Sequence, residues 1–70
     1  MMAEIVKWVP ATATHEAYGF AKPAEGGARD VLVSANCIIS GVAHVGAKIE
    51  CRAYIGKNGR ARAYDVRVVG

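Results

Sequence analysis

Tyr18-Gly19-Phe20 sets two aromatic rings two residues apart. Side chains alternate across a strand, so both rings share one face, and the glycine between them leaves the other face thin. Such a pair either fills a small core or offers a surface on which flat groups stack. Cations are the second resource. Residues 48–70 carry Lys48, Arg52, Lys57, Arg60, Arg62 and Arg67 against Glu50 and Asp65, whereas residues 1–47 hold three cations and four acids. The net charge of +3 is therefore concentrated in the last third, which suits a polyanionic partner or is simply a solvated basic face.

Residues for covalent or acid–base chemistry are scarce. There is no Gly-rich phosphate loop, no nucleophile with a recognisable base and no pair of carboxylates at defined spacing. His15 beside Glu16 is a chance neighbourhood in a loop, so the expectation is a binding protein, not an enzyme, with no cofactor. Cys37 and Cys51 stand 14 residues apart, without a CxxC pair or a histidine at zinc-finger spacing. They read as small buried thiols of a reducing compartment, and no metal site is expected.

The elements that must position these residues are short strands. A chain of 70 residues makes one domain, 1–70, that buries only about 60% of the surface exposed when unfolded. With 53% hydrophobic and 21% charged residues, its composition is that of a folded chain. No apolar run approaches the ~20 residues of a membrane span, and the first residues have no charged region followed by an apolar one. A soluble, cytoplasmic protein is expected.

Segments rich in Val, Ile and aromatics recur between Gly, Pro, Asn and Ser punctuation, the pattern of a short-stranded sandwich or barrel. Strands are predicted over residues 4–10, 17–23, 30–36, 47–55 and 60–69. In the third, Val31 and Val33 should face the core, and Leu32 and Ser34 the outside. In the fourth, Ile49, Cys51, Ala53 and Ile55 should point inward, and Lys48, Glu50, Arg52 and Tyr54 outward. Tyr54 and Tyr64 read as ordinary half-buried tyrosines. Ala24-Glu25-Gly26-Gly27 supplies a reversal. Residues 37–46 form a longer connection with room for a helical turn, and Asn58-Gly59 marks a hairpin because both residues tolerate positive φ.

Five landmarks in order give the chain a family likeness. Lys7-Trp8, Tyr18-Gly19-Phe20, Pro23 with Gly26-Gly27, Asp30-Val31-Leu32-Val33 and Asn58-Gly59 with Asp65-Val66 resemble the motifs of the cold-shock domain family across residues 4–69. The resemblance implies an all-β, five-stranded antiparallel Greek-key β-barrel of the OB type. It further implies that Trp8, Tyr18 and Phe20 lie outward as a platform for bases of single-stranded RNA or DNA. Lys7, Lys57, Arg60 and Arg62 would meet phosphates; the loop at residues 11–16, longer than the family norm, adds His15 as partial compensation for departures from the family pattern.

Departures from the family bear on strength. Leu32, Ser34 and Ala35 stand where the family has Phe, His and Phe, and Val42 where an aromatic is common; Glu16-Ala17 replace Lys-Gly. Stacking contributes ~1–3 kcal/mol per base, so the expected binding is weaker than that of typical relatives, micromolar or below in strength, with an RNA-chaperone role open to it. Leu32 and Ser34 remain candidate contacts. The alternative expectation is an OB-fold module that has exchanged nucleic acid for a protein partner or for self-association as a homodimer through the more apolar face.

Overall fold

The computed structural model describes residues 1–25 and 29–70, so Gly26-Gly27 of the expected reversal lie outside the described residues. Six strands form, β1 (Met2–Val9), β2 (Tyr18–Pro23), β3 (Val31–Ser34), β4 (Ile38–Ser40), β5 (Lys48–Ile55) and β6 (Ala61–Val68). The five predicted strands correspond to β1, β2, β3, β5 and β6. The third is shorter than predicted, because Ala35–Cys37 turn as a 3-10 helix, and β4 arises within the connection.

Neighbour pairing runs β3-β2-β1-β5-β6-β4, and an additional β3–β6 pairing joins five strands into a closed ring, β1-β2-β3-β6-β5. The expectation of an antiparallel barrel is corrected here. β3 and β6 run parallel, in register at Leu32 and Arg62, and β4 also lies parallel to β6. The reason is topological: strand directions cannot alternate all the way round a ring with an odd number of members, so at least one parallel contact must close it.

The core is small. Ile5, Ile49, Val33 and Val66 are its largest fully buried side chains, and Ala3, Ala21, Val31, Ala47, Cys51 and Ala63 fill between them. Val31 and Val33 face inward and Leu32 and Ser34 outward, as the alternation predicts. Two bulges adjust the phase elsewhere. In β1 the register slips between Ile5↔Ala21 and Lys7↔Phe20, leaving Val6 as an extra residue that is 44% exposed. In β6, Asp65 and Val66 together oppose Cys51, between the pairs Arg52↔Tyr64 and Glu50↔Arg67. Asp65 takes up the strain at φ 51°. Each bulge switches which side chains point inward: from Ala63 the buried set passes to Val66 rather than to Asp65.

The β5–β6 hairpin outruns the barrel. β1 pairs with β5 only over Lys48, Ile49 and Glu50, so beyond Cys51 the hairpin extends past its β1 neighbour. Ala53 and Ile55 keep the predicted inward phase, paired with Ala63 and Ala61, but Ala53 is exposed and Ile55 is 69% exposed, so the direction is as expected and the burial is not. At the tip, the Gly59 N–H donates to the Gly56 carbonyl at 3.0 Å and the Gly56 N–H to the Arg60 carbonyl at 2.8 Å. Gly59 alone has positive φ, 79°. Asn58 keeps ordinary φ and instead accepts the Arg60 N–H on Oδ1 at 3.0 Å. The hairpin forms where predicted, by a three-residue turn with a left-handed glycine rather than by a left-handed Asn-Gly pair.

Candidate functional site

Residues in register across a sheet share a face, so the ladder sorts side chains into rows. One outward row runs round the ring as Lys7↔Phe20, Phe20↔Leu32, Leu32↔Arg62 and Arg62↔Tyr54. The next contains Val9↔Tyr18, Tyr18↔Ser34 and, on the hairpin, Tyr64↔Arg52. Their neighbours along each strand, Ala21, Val31, Val33 and Ala63, are buried. The two rows therefore lie on the barrel's outer surface.

On this surface four groups form a continuous run. The His15 and Tyr18 rings meet edge to face with centroids 5.4 Å apart, and Tyr18 meets Phe20 in the same manner at 6.3 Å. Arg60 then places its guanidinium carbon 5.7 Å from the Phe20 centroid, within the range of cation–π attraction. Tyr18 and Phe20 are half-buried and His15 and Arg60 exposed. His15 is held by a structured loop. Its carbonyl accepts the Thr12 N–H at 2.8 Å, its Nδ1–H donates to the Glu16 carbonyl at 2.9 Å, and Thr12 Oγ1 accepts the Thr14 N–H at 3.2 Å. At the rim, Asn36 Nδ2 donates to Glu16 Oε1 at 3.5 Å.

Of the predicted site residues, Lys7, His15, Tyr18, Phe20, Leu32, Ser34, Arg60 and Arg62 come together here. Lys57 is exposed in the hairpin turn and is not part of either row. Trp8 lies elsewhere. It is in register with Gly19, not with either ring of β2, and it packs half-buried against the core. Gly19 has to be glycine for this: a Cβ there would fall 2.2 Å from the Lys7 carbonyl oxygen and 2.5 Å from Trp8 Cε3. The contiguous rings on the outer face are thus His15, Tyr18 and Phe20, without Trp8.

Two further rings share the outer face. Tyr54 and Tyr64 are 52% and 36% exposed, their centroids 5.8 Å apart and their planes at 60°. They were expected to be half-buried. The alternation of residues 47–55, which already set Tyr54 beside Arg52 on the wet face, is the signal that marks it as available.

A cleft of about 1100 Å³ opens beside the cluster, with Phe20 and Arg60 on one wall and Met1, Val31, Ile55 and Ala61 among the apolar lining. Both cysteines are free thiols, Cys51 buried and Cys37 half-buried, and burial raises the Cys51 thiol above its ordinary range. Among the described residues no three of His, Cys, Asp and Glu gather as metal ligands, and no helix is long and apolar enough to cross a membrane. Comparison with models of known protein families finds no match to this sequence, and comparison with curated proteins finds none either.

Proposed function

We propose that this protein binds single-stranded nucleic acid, RNA or DNA, on the outer face of β2, β3 and β6. The observation that carries the reading is the run His15–Tyr18–Phe20–Arg60, three rings and a cation in successive contact on a sheet face that has Lys7 and Arg62 in the row of Phe20. Every base has a π-face, so such rings bind by stacking with little sequence preference, while cations meet the phosphates. Within this reading the closed ring is a cold-shock-like OB barrel of Greek-key connectivity, and its working location is the cytoplasm. Nothing in the site performs covalent chemistry. Preference for unpaired strands would give it an RNA-chaperone effect by mass action, because binding one side of the pairing equilibrium draws it that way.

Leu32 lies between Phe20 and Arg62, and Ser34 stands beside Tyr18, without adding a ring, which keeps the affinity in the micromolar range. The test is the fluorescence anisotropy of labelled oligo-U and oligo-dT titrated at low salt. Phe20→Ala and Tyr18→Ala should each weaken binding by ~1–3 kcal/mol. With Lys7, Arg60 and Arg62 as phosphate contacts, the log–log salt slope should be about −2. No anisotropy change at tens of micromolar protein, with the chain folded, sinks the reading. It would then yield to the second one, a protein or self-association module, which the apolar cleft beside Phe20 favours; sedimentation across the same concentration range separates the two.

A further inference from the structure

We infer that Tyr54 and Tyr64, with Arg52 and Arg62, form a second stacking station for the same single strand, reached by wrapping from β2 across β3 and β6 to β5; this rests on the function proposed above. Continuity is the first argument. Phe20, Leu32, Arg62 and Tyr54 occupy one row of the ladder, so the path from the first rings to the second crosses only β3 and β6.

Composition is the second. Tyr54 stands opposite Arg62, and Arg52 opposite Tyr64, so rings and guanidinium groups alternate over the hairpin, the combination that accepts bases and phosphates in turn. The Arg62 side chain lies along the Gly56 backbone, where an added Cβ would come within 3.1 Å of its Nε. Toward the barrel, the next pair is Glu50↔Arg67, whose charges cancel, and Asp65 follows Tyr64 on the exposed side. The basic surface therefore ends there and defines the station's limit.

Exposure is the third argument. A tyrosine pair whose task is to hold a hairpin together hides its rings, whereas Tyr54 leaves half its surface, 52%, in solvent. Between the stations, Leu32 and Ser34 form a ringless saddle. Three strand spacings separate Phe20 from Tyr54, about 14 Å along the backbone and more at ring height because the outer face is convex. A short oligonucleotide can occupy only one station; a longer one reaches both, within the ~4–16 nucleotides that barrels of this size cover.

The experiment compares U3, U6, U9 and U12 on the 70-residue chain by anisotropy, with stoichiometry from sedimentation. On the wild-type chain, affinity should rise from U3 to U9 beyond what the number of registers supplies, at one protein per strand. Tyr54→Ala with Tyr64→Ala should lower U12 affinity by at least about tenfold and leave U3 affinity unchanged. Tyr54→Phe with Tyr64→Phe, which keeps the rings, should bind as wild type. Arg52→Gln, which keeps both tyrosines, should weaken U12 but not U3, a check that holds even if the alanine variant folds poorly. Amide shifts at Tyr54 and Tyr64 should appear with U12 and be absent with U3. If U3 binds and U12 binds equally well to wild type and to the alanine and Arg52→Gln variants, the second station is refuted and the first stands. If wild type binds neither, both fall.

Discussion

Gly19→Ala tests how the two faces of β2 are held apart. The added methyl would sit 2.5 Å from Trp8 Cε3, whereas carbon atoms rest at about 3.5–4.0 Å, so the indole must retreat by about 1 Å. The 2.2 Å approach to the Lys7 carbonyl oxygen is harder to relieve, because that atom is backbone in the neighbouring strand. Overpacking costs ~1–3 kcal/mol, and a backbone obstacle places this substitution at the upper end. A domain of 70 residues has a total stability of about 4–10 kcal/mol. At 4–8 °C per kcal/mol for a domain of this size, the melting temperature should fall by about 10–20 °C.

Thermal and urea unfolding followed by circular dichroism give the stability change. Trp8 emission reports the local event, since a displaced indole becomes more hydrated and shifts to the red. Replacing Trp8 as well, Trp8→Val with Gly19→Ala, removes the ring contact but not the Lys7 contact. The double variant should therefore remain less stable than Trp8→Val alone, with a measurable coupling between the sites. A Gly19→Ala chain that melts within about 2 °C of wild type with unchanged emission would refute the close approach of β1 to β2 at this pair.

Further predictions concern the thiols and the β6 bulge. Iodoacetamide should label Cys37 at least about tenfold faster than Cys51, whose thiol is buried and raised by that burial; equal rates would contradict the packing of β5. Because the folded state holds the Cys51 proton more tightly than the unfolded one, its contribution to stability is intact below about pH 8.5 and is lost as pH rises through the folded value. Melting temperatures of wild type and Cys51→Ala should accordingly converge or cross between neutral pH and about pH 10. At the left-handed Asp65, Asp65→Gly should be neutral to within about 1 kcal/mol, whereas the β-branched Asp65→Val should cost about 1–2 kcal/mol more. Equal urea midpoints for the two would dispose of the bulge.

The strands were legible wherever strict alternation holds. Val31 and Val33 against Leu32 and Ser34 read directly as inside and outside, and the Tyr18-Gly19-Phe20 spacing placed both rings on one face. Trp8 shows why alternation fails elsewhere. With Ala3 and Ile5 inward, a regular β1 turns Lys7 inward and Trp8 outward. The one extra residue at Val6 reverses both, bringing Lys7 beside Phe20 and Trp8 beside Gly19. Nothing in the residue types around Val6 announces that insertion, because a bulge answers the curvature of the closed barrel and not a local preference. Ala53 and Ile55 illustrate a second limit. Their spacing is that of a buried face, but burial needs a layer beneath, and how far β1 runs alongside β5 is a tertiary fact. The parallel β3–β6 contact, by contrast, follows by counting once five strands are taken to close.

That contact makes the ring asymmetric in strength. Four of its five seams are antiparallel ladders, whereas β3 and β6 meet in register only at Leu32 and Arg62. Local opening starts where the fewest bonds hold, so the barrel behaves as a curled strip with a latch rather than as a uniform cylinder. Arg60, arching from the start of β6 to the Phe20 ring, spans this latch from outside. Any strand of nucleic acid resting on Phe20, Leu32 and Arg62 touches both lips at once. On the proposed function, occupying the face and keeping the barrel shut would be one equilibrium, in which a bound strand would complete a closure that the backbone leaves at its thinnest.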